Sequence, residues 1–157
     1  MSRVLEEIRG LLEEHGADFR EVHHSPTRTS EQAAAARGEP IEIGGKAIVA
    51  KVDKTFRLFV ISAARKLQSR AICKHLGAQR FRFATPEELH ELTGLVPGCV
   101  PPFGRPILDL DLYVDSSILE NDRIAFNAGS LEDSIIVDRQ VWLDIARPKE
   151  VFSFSKP

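Results

Sequence analysis

Apolar residues near the start of the chain, Val4, Leu5, Ile8, Leu11 and Leu12, recur at the spacing of one helix face, with glutamates and arginines between them. That stripe predicts an amphipathic helix over 2–15, stopped by Gly16, and a short strand over 18–24. Thr29-Ser30-Glu31-Gln32 has the order of a capping box before an alanine-rich helix that ends at Gly38-Glu39-Pro40. Segments 46–52 and 56–62 are rich in Val, Ile and Phe and are split by Asp53-Lys54, which predicts a β-hairpin at the centre of the core. A second amphipathic helix is expected over 66–76, stopped by Gly77, then a strand over the alternating 80–83. Thr85-Pro86-Glu87-Glu88 starts another helix, with proline at its first position, and Gly94 ends it.

Beyond Gly94 the pattern changes to a loop dense in glycine and proline, 95–106. Segment 108–114 alternates apolar and polar, as a half-buried strand does. Strands over 123–127 and 134–137 are joined through Ala128-Gly129-Ser130, followed by a short helix over 138–146 and a strand over 151–155. Helices and strands interleave without a regular βαβ rhythm, which favours a mixed α/β or α+β fold in one domain, 1–157, over a doubly wound parallel sheet.

Composition narrows the classes. With 157 residues, 43% hydrophobic and 28% charged, the chain can bury a core. Its apolar runs are too short to span a membrane, and its start lacks a signal-peptide pattern, so a cytoplasmic protein is expected. Cys73 and Cys99 match neither a disulfide framework nor a zinc spacing, and no metal or cofactor is expected. A net charge of −2 argues against bulk electrostatic binding of nucleic acid but leaves room for a local basic patch.

No GxSxG elbow, HExxH, P-loop or strand-linked GxGxxG is present. Four features remain. Lys46 begins an apolar strand after Gly44-Gly45; it either snorkels to water from a sheet edge or fixes a carbonyl, a ribose hydroxyl or a phosphate. Lys51 falls on the opposite strand face. In Gly98-Cys99-Val100-Pro101-Pro102-Phe103-Gly104, a rigid surface loop competes with a binding loop whose amides, from Cys99, Val100, Phe103 or Gly104, stabilise an oxyanion. Asn127, Ala128 and Gly129 form either a plain tight turn or a ligand-binding one. Lys66, Arg70 and Lys74 recur every four residues as a solvated helix face or a track for RNA phosphates. Asp109 and Asp111 read as the solvent side of a strand rather than a metal site, and His24 as structural or pocket-lining. Cys99 has no local cue for a lowered thiol pKa.

Taken together, Gly-Gly-Lys-Ala-Ile-Val at 44–49, Glu-Leu-Thr-Gly-Leu-Val-Pro-Gly-Cys-Val-Pro-Pro-Phe at 91–103 and Ile-Ala-Phe-Asn-Ala-Gly-Ser-Leu at 124–131 resemble the YbaK/EbsC family, whose domain is shared with the editing domain of bacterial prolyl-tRNA synthetases. Ala-Asp-Phe-Arg at 17–20 and Ala-Lys-Val at 50–52 are similar to the YeaK-like free-standing branch, associated with clearing Ser and Thr from mischarged tRNA. The resemblance implies a strongly curved mixed sheet flanked by helices, no metal, and trans-editing deacylation at the tRNA 3′ end, with Ala or Cys as further substrates. It assigns Lys46 as the functional lysine, Gly98, Pro101 and Pro102 to a Gly-x-x-Pro-Pro loop, and Asn127–Gly129 to the loop across the pocket. Related domains carry a histidine near Ser130 and Leu131 that is missing here.

On this reading Lys46 and the backbone at Gly98 and Val100 do the chemistry. His24, Pro101, Pro102, Phe103, Gly104, Asn127, Ala128 and Gly129 bind the substrate, and Lys66, Arg70 and Lys74 bind tRNA. A synthetase partner is possible on the same fold, as is a non-catalytic module that binds tRNA ends.

Overall fold

The structure is a computed structural model that describes residues 3–157, so the expected helix start at Ser2 lies outside the described residues. Helix α1 (Arg3–Glu14) buries Val4, Leu5, Ile8 and Leu12, the stripe that its sequence spacing sets. Strand β1 (Phe19–His23) leads to α2 (Ser30–Arg37), where the Thr29 hydroxyl accepts from the Gln32 amide and Gly38 closes the helix at φ 70°. A 3-10 turn, Ile41–Ile43, delivers the chain into β2 (Gly45–Val52).

Strands β2 and β3 (Thr55–Ser62) form the expected hairpin, in register from Gly45 opposite Ser62 to Val52 opposite Thr55. Asp53 takes a positive φ in the turn, and its carboxylate accepts from the amides of Gln79 and Arg80. Then follow β4 (Lys66–Leu67), α3 (Ser69–Leu76), β5 (Phe81–Phe83) and α4 (Pro86–Thr93). The α4 capping box is formed in both directions between Thr85 and Glu88. After the glycine–proline loop come β6 (Leu112–Asp115), β7 (Arg123–Asn127), β8 (Asp133–Asp138), α5 (Arg139–Ala146), β9 (Glu150–Phe152) and β10 (Ser155–Lys156).

The strands fall into three sheets rather than one: β5-β2-β3-β6-β9, β1-β8-β7 and β10-β4. The largest is mixed, with β3–β6 and β6–β9 parallel and the other pairs antiparallel. One of its faces, carrying Val49, Leu58, Val60, Leu112 and Val114, packs in a cluster with α1, β7, β8 and Trp142 of α5. The other, carrying Ala50, Phe59, Ile61 and Tyr113, packs against Ile72 of α3 and Phe154. The two larger sheets meet where Gly44 bridges Ala125.

Two expectations change. The strand expected over 108–114 begins only at Leu112, and all four of its residues are buried because it lies between parallel neighbours. Upstream the chain turns, and Asp109 and Asp111 bind one cation: Arg105 Nε donates to Asp109 at 2.7 Å and Nη1 to Asp111 at 2.6 Å. They are not the solvent side of a strand. Second, Lys66 lies in β4 opposite Lys156, not on the helix, which starts at Ser69. The cationic stripe therefore reduces to Arg70 and Lys74, both exposed.

Candidate active site

Close packing requires the Gly44-Gly45 pair. A methyl on Gly45 would stand 2.6 Å from Ile124 Cδ1, and one on Gly44 would stand 2.9 Å from Ala63 Cβ and 3.6 Å from Arg37 Nη1. The glycines let β2 approach β7 closely, and Gly44 packs beneath Ala63 and the Ile41 carbonyl with the Arg37 guanidinium beside them. Strand alternation puts Lys46 on the same face as Gly44. Lys46 is exposed and makes no hydrogen bond or ion pair among the described residues. Lys51, on the opposite face, sits 5.5 Å from the centre of the Phe56 ring.

Arg37 is the centre of a polar cluster that the sequence reading missed. It is the last residue of α2, only 8% exposed, and its guanidinium reaches the end of the β7–β8 hairpin. Nε donates to Ser134 Oγ at 2.9 Å and Nη2 to Asn127 Oδ1 at 3.1 Å. Neither acceptor is charged. Glu39, two residues on, is engaged instead with Arg20 and Arg123. With burial uncompensated, the Arg37 pKa is pulled down to about 10, so the group is still a cation at neutral pH.

Ser134 also meets His24, whose Nε2 lies 2.9 Å from its hydroxyl oxygen. The His24 Nδ1 lies 2.9 Å from the Ser25 carbonyl, an acceptor only, so Nδ1 carries the proton. The single Ser134 hydroxyl proton is thus shared between His24 Nε2 and Asn127 Oδ1, the latter at 3.3 Å. This serine–histidine contact is not a nucleophilic pair, because Ser134 is fully buried. Cys99 is buried too, and burial pushes its thiol pKa up.

Asn127 ties the cluster to the glycine–proline loop. Its Nδ2 donates to the Gly98 carbonyl at 2.8 Å, and the Gly129 amide donates to the Cys99 carbonyl at 3.0 Å. Gly98 itself is exposed at φ 90°, a left-handed angle that suits glycine. The structure thus brings together His24, Asn127, Gly129 and Gly98, with Ala128 buried behind them.

The rest of the loop sits differently from the open rim that the sequence suggests. Val100, Pro101, Pro102, Phe103 and Gly104 are all buried. Phe103 belongs to the core, its ring edge-on to Phe126 at 5.5 Å. A methyl on Gly104 would meet the Leu110 carbonyl at 2.6 Å, so this glycine serves close packing. The Pro102 carbonyl accepts from Trp142 Nε1 at 3.0 Å. Of the amides expected to stabilise an oxyanion, those of Cys99 and Phe103 already donate to the carbonyls of Val96 and Pro101. That leaves Val100 and Gly104.

Arg70 and Lys74 lie on α3, which packs on the sheet face carrying Ile48 and Ala50, and no hydrogen bond or ion pair among the described residues links them to Arg37, Asn127 or Gly98. The structure does not join them to the polar cluster.

The fold is a mixed α/β domain in which Arg37, bonded to neutral oxygens, joins α2 to the β7–β8 hairpin. The chain belongs to the aminoacyl-tRNA editing domain family, whose model matches residues 24–145. It is 37% identical over 147 residues to the multifunctional Ser/Thr-tRNA deacylase ProXp-y of Escherichia coli (strain K12), covering 90% of this chain and 87% of that protein. It is 30% identical over 122 residues to a proline–tRNA ligase of Shouchella clausii, covering 78% of this chain but 20% of the ligase. A solved structure of a candidate trans-editing enzyme for prolyl tRNA synthetase superposes with a TM-score of 0.85 at 27% identity, over 100% of this chain and 99% of that one.

Proposed function

We propose that this protein, acting as one editing domain, is a trans-editing deacylase that hydrolyses the ester of a mischarged small amino acid, serine or threonine first, at the 3′ end of tRNA. The observation that carries the reading is the hydrogen-bonded cluster of Arg37, Asn127 and Gly98, whose Arg37 Nη1 lies beside Gly44, two residues before the unpaired Lys46. The printed activity of the Escherichia coli relative supports it. So does the match to one-fifth of a proline–tRNA ligase, the part that a free-standing editor resembles.

An aminoacyl ester is already labile, so positioning and charge stabilisation suffice. Lys46 holds the 3′-terminal nucleotide, with the exposed backbone at Gly98 and the Asn127–Gly129 turn closing on the aminoacyl group. Neither Ser134 nor Cys99 is accessible as a nucleophile, so water attacks the acyl carbon directly.

No helix among the described residues is long and apolar enough to cross a membrane. We place the activity in the cytoplasm, with tRNA as the partner and a synthetase as a second one that hands over the mischarged product.

The test is a panel of tRNAs charged with Ser, Thr, Ala or Cys, incubated with purified protein. Release of Ser or Thr well above the rate of spontaneous hydrolysis is expected. Saturable binding of these tRNAs with no acceleration would instead support a non-catalytic module.

A further inference from the structure

We infer that Arg37 is the oxyanion donor of this site: its Nη1 binds the carbonyl oxygen of the scissile ester and stabilises the negative charge that forms there. The inference rests on the deacylase reading and goes beyond it by naming the group that stabilises the intermediate.

Three observations converge on Nη1. Two other guanidinium nitrogens are fixed by Ser134 and Asn127, so the planar group cannot swing away. Nη1 has no acceptor among the described residues, and it is not one of the buried atoms left without a partner, which are Thr27 Oγ1 and Arg57 Nε. It therefore meets solvent, on the strand face shared by Gly44 and Lys46. Finally, no carboxylate pairs with the cation among the described residues: Glu39 is engaged by Arg20 and Arg123, and Arg37 Nε and Nη2 donate to neutral oxygens.

A desolvated, uncompensated cation held at a fixed angle gains most from a partner that becomes charged during the reaction. Two of the loop amides expected for this task, those of Cys99 and Phe103, are used internally.

The step balances as follows. A water oxygen adds to the acyl carbon, and the carbonyl π pair moves onto oxygen, where Nη1 donates to it. Collapse re-forms the C=O bond and expels the ribose oxygen, which takes up one proton of the attacking water. The free amino acid and a ribose hydroxyl remain, and the other proton of the water is lost from the new carboxyl group to solvent.

The test is steady-state release of serine from mischarged tRNA by wild-type protein, Arg37→Gln and Arg37→Lys, with thermal melts confirming that each is folded. Loss of one such donor is expected to lower kcat of Arg37→Gln by about 100-fold, with KM within about threefold. Arg37→Lys should recover only part of the rate, because a lysine cannot keep the fork to Ser134 and Asn127 and also present a donor. For Arg37→Ala, added guanidinium ion at sub-denaturing concentration should restore activity. An unchanged kcat, or a rise in KM alone as for a group that grips a phosphate equally throughout, overturns the inference. If a variant fails to fold, the rescue of Arg37→Ala and the Arg37→Lys kinetics still decide it. A wild-type protein that releases no serine defeats the deacylase reading itself, which is a separate result.

Discussion

Lys46→Ala should lower kcat/KM for release of serine from mischarged tRNA by about 100-fold or more, the scale set by losing the group that orients a substrate. Its melting behaviour should barely change, within about 0.5 kcal/mol, as for a surface substitution away from packing. The contrast follows from where the residue stands. Lys46 opens β2 opposite Ile61, is exposed, and makes no hydrogen bond or ion pair among the described residues. A lysine that holds nothing in the free protein has no structural role to lose. A variant that keeps wild-type turnover would remove Lys46 from the site and leave it a lysine that reaches solvent from the start of β2.

Trp142→Ala should have the largest effect on stability, about 3–5 kcal/mol, the range for removing a fully buried aromatic side chain. That is a large share of the 5–15 kcal/mol or so that holds an ordinary domain together. Trp142 is completely buried in the cluster that joins α1, the inner face of the main sheet and the β7–β8 hairpin. Its indole N–H also fixes the Pro102 carbonyl. Trp142→Phe separates the two contributions: it keeps most of the packing and leaves that carbonyl unpaired, costing about 1–3 kcal/mol. Urea unfolding of both variants checks this. Equal costs for Ala and Phe would mean that the hydrogen bond, and not the ring, holds the loop.

The parts of the fold that were legible in sequence are those decided locally. The α1 stripe, the two-residue turn at Asp53-Lys54, the reciprocal capping box at Thr85 and Glu88, and the β7–β8 hairpin need only neighbours to form. The failures involve distant partners. Leu108, Leu110 and Leu112 alternate as a strand would, yet Arg105 clamps Asp109 and Asp111 and turns the chain before β6 starts. Lys66 keeps helical spacing with Arg70, but pairing with the C-terminal strand draws it into β4.

The site divides in the same way. Lys46, Gly98 and Asn127 were found through the three motifs and the family they resemble, and Asn127 does bond to the Gly98 carbonyl. Arg37 was not found. A cation in the last turn of a helix is favoured by the helix dipole and so looks unremarkable in sequence. What sets it apart is burial by Ser134 and Asn127, which lie some ninety residues further along the chain. Pro101, Pro102 and Phe103, conspicuous in sequence, turn out to be buried, and Phe103 packs on Phe126.

The most direct measurement is a titration of the 15N-labelled protein with a non-hydrolysable analogue, serine joined through an amide to the 3′ position of adenosine. Amide shifts should concentrate at Gly98, Ala128 and Gly129 and at Gly44 to Lys46, with the Arg37 side-chain Nε–H moving in step. Saturable shifts confined to other surfaces, with those residues unmoved, would contradict the placement of the substrate and with it the chemistry assigned to this corner of the fold.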